Sequence, residues 1–163
     1  MKKIGAEYYF MKLTSPEFEN GEEMPEKHGY MGENVNPELH IENVPAEAKS
    51  LALAFKDPDA QDAAGKTWLH WLTWSISTDT EVIEEDSSPG IEGETDFRET
   101  EYNGPNPPDG EHVLVFKLYA LREELELGKG EGLESFDNTV EDKIIEEAEL
   151  KARYPHEHVT RDQ

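Results

Sequence analysis

Hydrophobic residues along this chain come in short blocks of strand length, separated by long polar stretches. Residues 6–13 (AEYYFMKL) predict a first strand, broken by Thr14-Ser15-Pro16. Residues 19–38 are polar and punctuated by Gly21, Pro25, Gly29, Gly32 and Pro37, so they predict loop. A short strand follows at 39–41, and Val44-Pro45 turns the chain. The apolar run 50–56 has the length of a buried strand, although periodicity alone does not separate a strand from a helix there. Residues 67–77 predict the next strand and contain all three tryptophans of the chain. Strict alternation would place Trp68, His70, Leu72, Trp74 and Ile76 on one face and Leu69, Trp71 and Thr73 on the other. Residues 78–100 are acidic and turn-rich, predicting a long surface loop with room for short helices. Residues 111–121 form the last clear strand block, apolar on both faces.

The period changes near the end. Val140, Ile144, Ile145 and Ala148 recur at helical spacing, and Thr139 with Asp142 three residues later resembles a capping box. A helix from Thr139, limited by Pro155 and lying against the sheet, is the expectation. There is no internal repeat. A length of 163 residues fits one domain with a sizeable core.

Charge changes the picture of the surface. Asp and Glu number 38 against 15 Lys and Arg, a formal charge of −23, and the acids are dispersed. Without a basic patch to neutralise phosphates, nucleic acid is not expected as a partner, and anionic membrane surfaces should repel the chain. Dispersed self-repulsion of this size is relieved by salt, which points to a halophilic source and not to a binding function. The cysteine count is zero, which removes disulfides, thiolate metal sites and a cysteine nucleophile. No apolar stretch reaches transmembrane length and no signal-peptide core follows Met1-Lys2-Lys3, so a cytoplasmic location is expected.

The candidate chemistry sits at strand ends. Asp57-Pro58-Asp59 follows the 50–56 run, His70 lies inside the tryptophan-rich strand, and His112 follows the stiff segment Gly104-Pro105-Asn106-Pro107-Pro108. Side-by-side strands would gather these two acids and two imidazoles at one pocket. Each feature alone has a plainer reading: Asp-Pro-Asp as a turn, His70 as a hydrogen-bonded core residue, the proline segment as a rigid loop. His28, His40, His156 and His158 read as surface residues. The four-residue set matches no strong metal motif, Ser50, Ser75 and Ser77 have no triad-like context, and there is no P-loop or dinucleotide fingerprint. No catalytic residue, metal or cofactor is therefore assigned.

These same residues carry a resemblance. Asp57-Pro58-Asp59-Ala60-Gln61, His70-Trp71, and the block from Gly104 through His112 to Tyr119-Ala120-Leu121 resemble the phosphatidylethanolamine-binding protein family in its bacterial and archaeal, Raf-kinase-inhibitor-like branch. Residues 15–45 resemble that branch's opening, and the match runs over 11–154 in order. The resemblance implies a mainly antiparallel Greek-key sheet core with a few peripheral helices, and a non-enzymatic pocket for small anions or phosphorylated head groups. It implies ligand binding by Asp57, Asp59, His70, Gly104, Pro107 and His112, with imidazole and backbone N–H groups donating to the anion. Its alternatives are inhibition of a serine protease or kinase, and, from the Asp/His cluster, a small hydrolase. It also suggests a homodimer. The chain departs from the pattern at Gln61, where the family has proline, and at Val113-Leu114, where it has Arg-Tyr. These changes and the nearby Asp109 and Glu111 imply a pocket less anion-selective than in the family at large.

Overall fold

The computed structural model describes residues 2–4 and 7–155. In chain order the strands are β1 (Lys2–Ile4), β2 (Glu7–Tyr9), β3 (Lys12–Thr14), β4 (Leu39–Glu42), β5 (Ser50–Asp57), β6 (Trp68–Ile76), β7 (Val82–Ile83), β8 (Ile91–Glu92), β9 (His112–Leu121) and β10 (Ile144–Tyr154). Helix α1 (Gln61–Ala64) is a single turn and α2 (Leu133–Val140) two. The main sheet runs β10-β9-β5-β6-β8 with every neighbouring pair antiparallel. Strands β3-β4-β7 form a second sheet, and β1-β2 a ribbon. In the main sheet β9 returns to lie beside β5, giving the order fourth-first-second-third of a Greek key.

Both faces of the main sheet are covered, which is why its central strands read as unbroken apolar runs. On one face Leu51, Leu53 and Phe55 of β5 join Leu114, Phe116 and Leu118 of β9, and Leu13, Leu39, Ile41 and Ile83 of the second sheet close over them. On the other, Ala52, Ala54, Leu72, Trp74, Tyr119 and Leu121 pack under Phe136 and Val140 of α2. Phe55 is stacked on Phe116 at a centroid distance of 3.7 Å and faces Tyr102 at 5.8 Å. Truncating a buried ring of this kind to Ala costs about 3–5 kcal/mol.

The mainly β, antiparallel class is as expected; several boundaries are not. The helix expected from Thr139 is displaced: α2 ends at Val140, and 144–154 is strand β10. Thr139 sits in the last turn of α2, where its hydroxyl donates to the Ser135 carbonyl at 2.7 Å. The helical spacing of Ile144, Ile145 and Ala148 comes from a bulge. Ile144 pairs with Leu121 and Glu146 with Ala120, so Ile145 is an inserted residue. Beyond it Ala148, Leu150, Ala152 and Tyr154 are buried at period 2, and the long ladder to β9 decides for strand.

The strand expected over 6–13 is two strands in different sheets, with Ala6 outside the described residues. The 78–100 segment carries β7 and β8 and no helix among its residues.

Strict alternation also fails in β6. Phe55 pairs with Trp71 but Lys56 pairs with Leu69, so His70 is an inserted residue. Trp71 then joins the Phe55 face while Leu69, Leu72 and Trp74 pack on the opposite one. A second irregularity, with Ser75 at φ 58°, returns Ile76 to the first face.

Candidate functional site

Strand β5 ends at Asp57, and Pro58 opens a short 3-10 turn over Pro58–Ala60 that runs into α1. Proline suits this first position because its missing N–H would have no partner there. Asp57 Oδ1 caps the turn by accepting from the Asp59 N–H at 2.9 Å. Its other oxygen, Oδ2, meets His112 Nδ1 at 2.6 Å. One buried carboxylate therefore ties the end of β5 to the start of β9, and both groups are about 4% exposed.

His112 has a second carboxylate partner. Its Nε2 lies 2.5 Å from Asp109 Oδ1, a side chain that is itself 40% exposed. Burial works against the charged His112 ring, but the hydrogen bonds and charges of Asp57 and Asp109 outweigh it, and its pKa is raised. Burial likewise raises the Asp57 pKa, although His112 pulls it down. Both directions agree on the pair: it holds its protons to higher pH than the separate groups would. Both ring nitrogens face carboxylate oxygens, so the imidazolium is the form this geometry suits.

His70 behaves oppositely. Its Nδ1–H donates to the Asn103 carbonyl at 2.7 Å, and the Asn103 N–H returns a bond to the His70 carbonyl at 3.0 Å. Burial lowers its pKa to about 4, against the opposing pull of the Asn103 carbonyl and Asp96. His70 is neutral near pH 7, with Nε2 as the acceptor nitrogen. The two imidazoles thus differ: His112 is pushed toward its charged form by the carboxylates at both ring nitrogens, and His70 is neutral.

Asp57, His70, Gly104, Pro107 and His112 line one cavity of about 270 Å³. Gly104 is required there, because a Cβ would stand 2.0 Å from the His28 carbonyl oxygen. Its N–H donates to Asn34 Oδ1 at 2.6 Å. Asp59 does not line this cavity. It faces an adjoining groove with Asp109 and Glu111, and its Oδ2 accepts from the Val113 N–H at 2.8 Å. It positions the strand that carries His112.

The cavity walls come from residues the sequence did not single out. Tyr30 and Phe97 stack at 5.6 Å, and Trp68 meets Phe97 edge-on at 5.9 Å. Asn106 also lines the cavity, and among the described residues no donor reaches its Oδ1. Tyr30 and Phe97 lie in the two long polar segments, which carry no periodic signal; an isolated aromatic in each is the one hint available.

Among the other histidines, His28 is fully buried and not a surface residue, and His40 pairs with Glu38 at 2.6 Å. His156 and His158 lie outside the described residues. Among the described residues no helix is long and apolar enough to cross a membrane.

The fold and site together define a Greek-key β protein with a small, largely apolar cavity at its strand ends, floored by a histidine held between carboxylates. The family model described as phosphatidylethanolamine-binding protein matches residues 14–155. The UPF0098 protein of Methanothermobacter thermautotrophicus is 35% identical over 151 residues, covering 88% of this chain and 98% of that one. Among solved structures, a phosphatidylethanolamine-binding protein homologue from Chlamydia trachomatis superposes with a TM-score of 0.85 at 32% identity, covering 89% of this chain and 97% of that one. Escherichia coli YbcL, described as a member of the mammalian family, gives 0.82 at 26% identity, covering 90% and 98%. The chain belongs to the phosphatidylethanolamine-binding protein family.

Proposed function

We propose that the cavity binds a small ligand carrying a phosphate or comparable anionic group, as a phosphorylated head group would, and that the protein acts by binding and not by catalysis. The observation that carries this reading is His112: two carboxylates favour its charged form at the floor of a preformed cavity with aromatic walls, and its Nε2–H becomes a donor to an anion when the exposed Asp109 side chain swings away. A volume of about 270 Å³ suits a small molecule and leaves no room for a large one. Within the ligand, an ammonium or hydroxyl donor would satisfy Asn106 Oδ1, and an ammonium would also favour the faces of Tyr30 and Trp68. Against hydrolysis, the described residues lining the cavity include no Ser, Thr or Cys for the His112–Asp57 pair to activate. The dispersed charge of −23 belongs, in this reading, to a protein working in high salt, whose surface repulsion is screened there.

Calorimetric titration with inorganic phosphate and with phosphoethanolamine, at pH 6 and high potassium chloride, tests the proposal. Phosphoethanolamine should bind more tightly than phosphate, and His112→Gln should weaken both by about tenfold or more, the loss of one charge-assisted hydrogen bond. Absence of binding by either probe, or equal binding by wild type and variant, would overturn it.

A further inference from the structure

A second polar cluster lies away from the cavity. His28 ends a short 3-10 turn (Glu26–His28) and is 0% exposed. Its Nδ1–H donates to the Val35 carbonyl at 2.9 Å, which leaves Nε2 as a lone pair. Among the described residues no hydrogen-bond donor reaches that Nε2. An orphaned buried acceptor is destabilising, so its persistence needs a reason. What faces it is carboxylate. Glu17 Oε1 stands 3.8 Å away, and the ligand atoms of Glu17, His28 and Glu85 all lie within 4.8 Å of one another. A proton on Nε2 would not resolve the conflict, because 3.8 Å exceeds a hydrogen bond.

We propose that Glu17, His28 and Glu85 form a binding site for a first-row divalent transition-metal ion such as zinc, cobalt or manganese. With metal–ligand bonds of about 2.1 Å, two donors separated by roughly 110–130° stand about 3.4–3.8 Å apart, so the Glu17–His28 spacing already spans an ion. One imidazole with two carboxylates is a borderline donor set, which selects these ions over magnesium and calcium. The Nδ1–H bond to a backbone carbonyl is the outer contact that orients a metal-bound histidine. Glu17 is held from behind, its N–H donating to Ser15 Oγ at 3.1 Å. Glu85 is held by Lys27, whose Nζ lies 2.7 Å from Oε1. Lys27 is 38% exposed and fills the place of part of the cation's charge; the ion binds as Lys27 swings out to solvent.

The site would staple the segment after β3 and the 26–28 turn to the distant segment after β7. It would also stiffen the cavity wall. The His28 carbonyl accepts from the Tyr102 hydroxyl at 2.7 Å and forms the surface against which Gly104 packs.

The test is titration of the chelator-stripped full chain with cobalt(II), followed by absorption, and with zinc(II), followed by calorimetry. It is run in about 1 M potassium chloride, where a Debye length of about 3 Å suppresses diffuse binding to the acidic surface. One equivalent should bind, with cobalt bands of a four- or five-coordinate site, and magnesium should not compete. Glu17→Gln and Glu85→Gln, both at partly exposed positions, should each weaken binding at least tenfold with the fold retained by circular dichroism. Lys27→Ala should tighten it several-fold by removing the competing cation. No stoichiometric binding, binding indifferent to both glutamate substitutions, or weaker binding by Lys27→Ala would each overturn the site.

Discussion

Asp109 is the residue whose removal most directly tests how the cavity floor works. Asp57 holds His112 Nδ1 from inside and Asp109 holds Nε2 from the solvent side, so the ring has no N–H left for a ligand. An anion that engages His112 must displace one carboxylate, and the 40%-exposed Asp109 is the one that can leave. A hydrogen bond to a charged group contributes about 1.5–3 kcal/mol, and the exposure of Asp109 reduces that to roughly 1–2 kcal/mol. Asp109→Ala should therefore tighten phosphate binding on the order of tenfold, since about 1.4 kcal/mol is tenfold. Asp109→Asn keeps an acceptor without the charge and should fall between the two. The gain should depend on pH. Asp109 helps raise the His112 pKa, so its loss lowers the proton affinity of the ring. Improvement should be greatest at pH 6 and shrink at pH 8, where less imidazolium remains. Calorimetry at the two pH values in matched salt is the assay, with thermal melts as the folding control. Unchanged or weaker phosphate binding by Asp109→Ala at pH 6 would refute the reasoning, because Asp109 would then be no competitor.

Three further outcomes are expected. Glu92 is buried and accepts from Trp71 Nε1–H at 2.8 Å, and burial raises its pKa from 4.5 to about 7. A folded pKa above the unfolded one gives stability that is full below pH 4.5 and lost as pH rises to about 7. The loss is about 3 kcal/mol at most, and Glu92→Gln should be the more stable protein at pH 8 with a flatter profile; urea melts at pH 5 and pH 8 that show no difference between the two would count against it. Melting temperature should climb as potassium chloride rises toward about 1 M, from screening of the −23 surface, and a flat or falling series rejects the salt-adapted reading. Gly104→Ala should destabilise by about 1–3 kcal/mol because its Cβ would meet the His28 carbonyl, and a melt indistinguishable from wild type would show that the loop yields freely.

What could be read along the chain was whatever local pattern decides. The apolar runs at β5, β6 and β9 are legible as strands because strands buried on both faces need continuous hydrophobic sequence. Asp57 at a strand end, Pro58 at the first position of a turn, and His112 after a proline-stiffened loop follow from the same short-range logic. Asp57 and His112 both line the one cavity, while Pro58 faces the adjoining groove.

Bulges and long closures lay beyond it. Inserted residues at His70 and Ile145 shift which side chains share a face, and nothing in local periodicity distinguishes an inserted residue from a change of period. The segment 144–154 is a strand because β9 offers it a full ladder, a partner more than twenty residues earlier. His28 sits in a polar, glycine-rich segment that reads as surface, yet it is buried because that segment folds back over the cavity wall. Tyr30 and Phe97 reach the cavity the same way, each carried by a loop whose path is set by contacts with distant parts of the chain. The direction of each histidine's pKa is decided there too. One imidazole lies against two carboxylates and the other against a carbonyl, and that difference is made by which strands and loops pack side by side.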